Sequence, residues 1–572
     1  MTRLANSFLP HLIIVGLLCM VTYANALRAP FILDDREVIV ENPITQDLHY
    51  FLKPWEAKQY RGNFLYQSFK MRYITFLTFA CNFAMHGLNT TGYHVVNILC
   101  HMLTAWAVYC FVMMLLSTPV LRGSSLATKA PAVSFIVATI FAVHPIQTAA
   151  VNYTWQRTTI LCALFYVWSI VCYGYARLSW LSTSSAQSKK AKFLYAAALI
   201  FCLIASRTKE NAVTLPCSIL ALEFILFGQG EIKKRLLYVL PFFLVMANVG
   251  LSLIEGPDVE LTPLDSSTMQ QEPYGRSEYL YSQFKVVAIY LSLLILPYGQ
   301  RLIYDIASYK TLWNPAVFAL LLTHFTLLGG ALFLLSRSLR QQIAIEWGLV
   351  GIGVCWFYGT IAIESSLLVL SDLAFEHRVY LPSIGAIIAI VTTTTTLCGT
   401  NTKRFRGIPF FLALTTVIVL SVLTIKRNAV WATEDGIWQD CLRKSPSSVM
   451  VHYEIGMSFA KKERYEEAIP FFKKASLLES ESNGKGWNSP ALNNLGNCYY
   501  VLGRLSEAEQ TWQSAYQKNP DNIVALYNIG MVEDRLGDYD MAVKYYKEFL
   551  RRSPPPLPQQ VVSRVRDLET KQ

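Results

Sequence analysis

Phe8-Leu-Pro-His-Leu-Ile-Ile-Val-Gly-Leu-Leu-Cys-Met-Val-Thr-Tyr-Ala-Asn-Ala-Leu27 is the stretch on which the fold class turns. It holds no Asp, Glu, Lys or Arg. A helix of about 20 such residues reaches across the roughly 30 Å hydrocarbon core of a bilayer. The only charge ahead of it is Arg3. A cleaved leader would close on small residues, whereas this run closes on Asn25-Ala26-Leu27-Arg28 and is followed by many more apolar runs. It therefore reads as a retained anchor.

Those further runs lie near 92–117, 131–145, 159–177, 193–206, 211–228, 236–254, 313–335, 345–364, 380–398 and 407–425, which makes about eleven spans. Composition agrees: the 572 residues are 53% hydrophobic and only 16% charged, and mean hydropathy is +0.33. Soluble domains carry roughly 25% charged residues. The net charge of +11 is spread over short clusters between apolar runs, so it sets topology and gives no footprint for nucleic acid. Basic residues fall in alternate connections: Arg122 and Lys129; Lys189, Lys190 and Lys192; Lys233, Lys234 and Arg235; Arg337 and Arg340; Lys403, Arg404 and Arg406. These are expected to be the cytoplasmic loops. An apolar run near 278–298 would break the alternation if it crossed, so it is expected to be re-entrant or interfacial. The N-terminus is then cytoplasmic, while the first loop, 28–91, and everything after Lys426 face the other side.

The tail repeats itself. Tyr453-Glu-Ile-Gly456, Leu492-Asn-Asn-Leu-Gly496 and Tyr527-Asn-Ile-Gly530 align, and Ala468, Ala508 and Ala542 then fall into register. One period is about 34 residues, and the other is longer by an insertion at Ser480–Asn488, as tetratricopeptide repeats allow. Repeats are expected near 450–483, 489–522 and 523–556, with Pro520 and Pro554 after helix ends and a capping helix over 558–570. The small residues suit close approach of paired helices, and Phe472, Trp512 and Tyr546 are expected to fill the space between neighbouring repeats.

Chemistry is expected where charge sits beside hydrocarbon, because a lone ion there costs several kcal/mol. The first loop opens with Asp34 and Asp35, adjacent acids able to act as a base, to hold a divalent metal, or simply to cap a turn. On the same side lie His144 and Arg157, then Arg207, Lys209 and Glu210, then Glu364, then Glu376, His377, Arg378 and Tyr380. Cations from separate connections beside carboxylates suit a phosphate at headgroup level. The alternative is ordinary snorkelling and interfacial ion pairing. No GxxxxGK, GxSxG or HExxH motif occurs, so nucleotide use, serine hydrolysis and zinc proteolysis lack support. No CxxC pair occurs among the 12 cysteines, which read as small core residues; Cys441 and Cys498 share the soluble tail.

Several motifs together resemble those of tetratricopeptide-bearing membrane glycosyltransferases of the C superfamily, which include the animal transmembrane-and-repeat O-mannosyltransferases and their bacterial relatives. They are Leu33-Asp34-Asp35-Arg36-Glu37 with Glu41-Asn42-Pro43; His144-Pro145-Ile-Gln147-Thr148 with Val151-Asn-Tyr153 and Gln156-Arg157; Ser206 to Glu210; Pro297 to Asp305; and Phe375-Glu376-His377-Arg378-Val-Tyr380-Leu-Pro382. The resemblance covers nearly the whole chain, and its Gln156-Arg157 version and compact tail look closer to the bacterial branch. It implies an all-α fold: a polytopic GT-C-like domain over 1–430 and an extracytoplasmic repeat solenoid over 431–572, in a bacterial inner membrane with the repeats periplasmic. It implies transfer of mannose or another hexose from a polyprenyl-phosphate donor to a protein Ser or Thr hydroxyl, the acceptor being held in the repeat groove among membrane lipids. Asp34 or Asp35 would be the catalytic base or would position the acceptor. Arg378, His377, Arg157, Lys209 and Arg207 would bind the donor phosphate, with Glu376, Glu210, His144 and Tyr380 supporting them. Other readings are a transferase acting on a lipid or glycan, and a non-catalytic membrane scaffold for the repeats.

Overall fold

The computed structural model describes residues 2–60, 64–181, 185–228, 230–254, 274–399, 408–481, 490–553 and 557–570. The basic cluster Lys403, Arg404 and Arg406, Pro554 and most of the Ser480–Asn488 insertion lie outside them. The described residues contain helices and turns and no β-strand. Each expected apolar run holds a helix: Thr2–Tyr23, Thr90–Ser117, Ala130–Val143, Arg157–Trp180, Ser185–Ser206, Leu215–Leu226, Ile232–Ile254, Pro315–Leu339, Glu346–Ala362, Tyr380–Gly399 and Ile408–Trp431. Among the described residues seven helices are long and apolar enough to cross a bilayer. An eighth is gained if Ala127–Val143 and Pro145–Asn152, bent by 50° at His144, form one span. The eleven expected from apolar runs thus include helices that do not qualify alone, such as Leu215–Leu226 with 12 residues.

Charge is sorted to the two ends of this bundle. At one end Arg177 and Arg235 converge on buried Glu223 at 2.9 and 3.3 Å, beside the expected cytoplasmic loops. At the other end the first loop meets the turns after His144, Ser206, Ala362 and Leu373. The 278–298 run belongs there too. It forms one unbroken helix, Arg276–Ile295, with no re-entrant turn. Its first and last turns both reach that end, through the Tyr279 hydroxyl on the Glu364 carbonyl and the His144 ring on the Leu294 carbonyl.

The tail begins inside the same structure. Ile39, Phe76 and Trp155 share one buried core with Trp438, Val451 and Ile455 of the helices Glu434–Lys444 and Val449–Lys461. Arg36 pairs with Glu434 at 2.8 Å, Arg301 donates to the Lys444 carbonyl at 2.6 Å, and Ser445 donates to the Ile303 carbonyl at 2.8 Å. A boundary at 430/431 falls in the last turn of the helix Ile408–Trp431, and Trp431 itself joins the shared core.

Beyond it the expected repeats are present as Val449–Lys461 with Tyr465–Glu481, Ala491–Val501 with Leu505–Lys518, and Ile523–Leu536 with Tyr539–Arg552, closed by Gln559–Glu569. The repeat glycines are tight because of their own partner helices: a Cβ on Gly456, Gly496 or Gly530 would lie 2.7, 2.4 or 2.8 Å from Phe472, Trp512 or Tyr546. The three aromatics thus close the gap within each repeat, and Phe472 and Trp512 also belong to one buried core that runs through Leu495 to Ile529 of the neighbouring repeats. Cys441 sits in the shared core, Cys498 sits in the repeat core, and both are free thiols.

The shared core predicts unequal truncations. Each large core side chain removed costs about 2–5 kcal/mol, so a chain ending after residue 433 loses Trp438, Val451 and Ile455 and should melt far below the full chain. One ending after residue 481 should stay close to it. Equal melting temperatures for the two would contradict the shared core.

Candidate functional site

Leu33 has a φ of +47°, a left-handed conformation that costs a non-glycine residue about 1–3 kcal/mol. Past it the two adjacent acids part company. Asp35 is wholly buried. Its Oδ1 accepts from the Trp155 backbone N–H at 2.6 Å and its Oδ2 from that of Ile32 at 3.1 Å. Burial pushes its carboxyl up to about 8 against the pull of those two amides. With both oxygens taken, Asp35 is a brace between the first loop and the Thr154–Gln156 turn.

Asp34 keeps a face open to solvent although protein surrounds it. The Tyr153 hydroxyl donates to its Oδ2 at 2.7 Å and accepts from its backbone N–H at 3.1 Å. Burial raises this carboxyl above the usual aspartate range, opposed by the Tyr153 bond and the charge of Arg72. A raised, accessible carboxylate recessed among its neighbours is the arrangement a general base needs.

The Tyr153 ring lies 6.4 Å from that of His377. His377 is buried on the Phe375 ring, and Lys209, Arg378 and Arg72 lie within its electrostatic reach. Arg378 donates to the Leu373 and Asp372 carbonyls at 3.0 and 2.8 Å. Among the described residues no carboxylate stands at ion-pair distance from it. Lys209 pairs with Glu364 at 2.7 Å and donates to Thr159 at 3.0 Å. The structure thus gathers Asp34, His377, Arg378, Lys209 and Glu364 from three separate connections.

Other expected site residues lie elsewhere. Arg157 is completely buried, and its guanidinium donates to the Asn97 side chain, both Thr78 oxygens, the Asn82 side chain and the Tyr93 carbonyl at 2.7–3.2 Å. It clamps the first-loop helices onto the bundle, with its guanidinium bonded to protein oxygens. His144 accepts from the Ile146 N–H at 3.1 Å and so caps a turn. The Tyr380 hydroxyl bonds His101 at 2.7 Å inside the bundle core. Glu376 accepts from Gln300, the Arg301 N–H and Tyr304, each at 2.7 Å, and so fixes the 297–305 segment. Glu210 pairs with Arg72 at 2.6 Å. Arg207 is half-buried and its carbonyl accepts from the Ile74 N–H.

Three residues at this end had no role in the sequence reading. Arg72 lies 5.2 Å above the Trp155 ring yet reads in sequence as a loop cation. Asp372 is electrostatically coupled to Arg378 and Asp34. Glu454 sits inside the first repeat motif but faces Arg36, Glu434, Asp34 and Glu37, and burial lifts its carboxyl to about 7. The first repeat therefore borders the recess. A divalent metal does not fit Asp34 and Asp35, because both Asp35 oxygens are engaged, and among the described residues no three His, Cys, Asp or Glu gather.

The tail matches a family model described as tetratricopeptide repeat over residues 448–517, and a second of that description over 523–556. Along most of its length the chain aligns with the human protein O-mannosyl-transferase TMTC4 at 24% identity, covering 82% of this chain and 67% of that protein. The chain is homologous to protein O-mannosyl-transferases. Two more such homologues are F38B6.6 of Caenorhabditis elegans, 24% identical over 78% of this chain and 59% of its own, and Tmtc3 of Drosophila melanogaster, 23% identical over 87% and 57%. The chain thus spans between 57% and 67% of the length of these relatives.

The two acids should separate in stability. Asp35→Ala strands two buried amides at about 1–3 kcal/mol each. It should therefore lower the melting temperature sharply, whereas Asp34→Ala, which frees only the Tyr153 hydroxyl, should lower it by much less. A larger drop for Asp34→Ala would reverse the assignment of brace and base.

Proposed function

We propose that this chain is a multi-pass membrane glycosyltransferase that moves a hexose, mannose by analogy with its homologues, from a polyprenyl-phosphate donor to a Ser or Thr hydroxyl of a protein. The observation that carries this reading is the open Asp34 carboxylate beside the His377 and Arg378 cluster at one end of the bundle. Asp34 takes the proton of the acceptor hydroxyl as its oxygen bonds to the anomeric carbon of the sugar. The bond from that carbon to the phosphate oxygen breaks, and the polyprenyl phosphate leaves with the electron pair. Arg378, free of a carboxylate partner among the described residues, takes up the charge that grows on the phosphate. Lys209 is a weaker electrophile, since Glu364 already balances it. The apolar helices present the polyprenyl chain with hydrocarbon, and the repeat tail bordering the recess brings the acceptor protein. The basic connections at the opposite end favour an extracytoplasmic recess.

Intact masses of secreted and envelope proteins from cells with and without this chain test the activity. A discrete hexose-sized difference is expected. Unchanged proteins with an altered lipid-linked glycan would replace the protein acceptor by a lipid or glycan one.

The pH dependence tests the base. Catalysis needs Asp34 ionised, and its carboxyl stands above the ordinary aspartate value of about 3.9, so the acidic limb of kcat/KM should fall above that value. Tyr153→Phe removes a hydrogen bond that favours the anion, which raises the carboxyl further. The limb should then move to higher pH. No movement, or movement to lower pH, would contradict Asp34 as the titrating base.

A further inference from the structure

Around Lys209 the structure holds several buried polar atoms that nothing in the protein satisfies. Glu364 is 4% exposed. Its Oε1 accepts from Lys209 at 2.7 Å, while its Oε2 has no partner. His377 is 7% exposed and its Nδ1 is equally alone. Asn211 Oδ1 and Ser365 Oγ, also buried and unpartnered, belong to the two short turns that carry Lys209 and Glu364, Glu210–Thr214 and Ile363–Leu367. The second turn is pinned in place by the bond from the Tyr279 hydroxyl to the Glu364 carbonyl.

A buried carboxylate oxygen without a donor is costly, and nearly all such atoms in folded proteins are satisfied. The group that completes this one must donate hydrogen bonds. It must also be uncharged, because Lys209 already supplies the counter-charge. It must accept or donate at His377 as well. A ligand hydroxyl meets all three conditions, and a set of neighbouring hydroxyls also answers Asn211 and Ser365. Phosphate fails the second, since it brings negative charge to a carboxylate. The cluster connects to Asp34 in steps: Lys209, which holds Glu364, lies within electrostatic reach of His377, whose ring stands 6.4 Å from that of Tyr153, the partner of Asp34. A donor sugar whose acceptor hydroxyl meets Asp34 would extend toward it.

We propose that Glu364, with His377, forms a sugar-hydroxyl subsite in which Glu364 Oε2 accepts a hydrogen bond from the donor hexose and thereby selects which hexose is used. This rests on the glycosyltransferase reading above. Lys209 is then a positioning residue that fixes the Glu364 carboxylate, and its charge is spent on that carboxylate.

The test uses the full chain in detergent with short-chain polyprenyl phosphate mannose and its monodeoxy analogues, which differ by one hydroxyl and carry equal charge. Affinities are measured for the native protein and for Glu364→Gln, whose amide keeps an oxygen for Lys209 but turns an N–H toward the sugar. At least one monodeoxy analogue should bind the native protein about ten- to a hundred-fold more weakly than the mannosyl lipid, the usual range for a hydrogen bond to a charged group. In Glu364→Gln that gap should close to a few-fold. The native series alone decides the matter if the variant proves unstable. Equal binding of every monodeoxy analogue, or the same gap in both proteins, would overturn the subsite while leaving the transferase reading in place. Folded native protein that binds no mannosyl lipid would overturn both.

Discussion

Two amides on one carboxylate hold the functional end together. The backbone N–H groups of Trp155 and Ile32 bind the two oxygens of Asp35, and leaving either amide buried and unpaired would cost about 1–3 kcal/mol. They tie the first loop to the Thr154–Gln156 turn, and this contact brings Tyr153 to Asp34. Arg157, one residue past the turn, extends the tie by grasping the Thr78, Asn82, Tyr93 and Asn97 oxygens. The open carboxylate of Asp34 therefore depends on a buried neighbour that has no role in chemistry.

The same end is closed from the tail. Arg36 on Glu434, Arg301 on the Lys444 carbonyl and the Trp438, Val451 and Ile455 side chains make the first two tail helices part of the recess wall. Acceptor delivery by the repeats, in the proposed function, would then occur through a surface continuous with the catalytic recess. Arg301 is itself held by Glu376, so the Glu376-His377-Arg378 turn sets both the place of Arg378 in the site and the seating of the tail.

Much of the fold was legible because it is periodic. Apolar runs of span length and glycines at repeat spacing are local patterns, and each gave a helix near its expected place. The site was legible only as a set of motifs. The sequence could not tell Asp34 from Asp35, because the difference lies in which of them meets the Trp155 amide, a contact 120 residues away in the chain. Arg157 read as a phosphate ligand since a lone arginine at a helix start gives no hint of five oxygens waiting in other helices. Arg72 and Glu454 went unread for the opposite reason: a loop cation and a repeat-surface acid look solvated until the tail packs over the first loop. The apolar run near 278–298 is set apart from the spans by the alternation of basic loops, but its place along the site shows only in its contacts at both ends.

The central claim is that Asp34 is the base and that its neighbour is not. Its most direct measurement is sugar transfer to an acceptor protein by purified Asp34→Asn, with the melting temperature recorded on the same sample. Transfer should vanish while the melting temperature stays near that of the native chain. Transfer retained at a substantial fraction of the native rate would contradict the account.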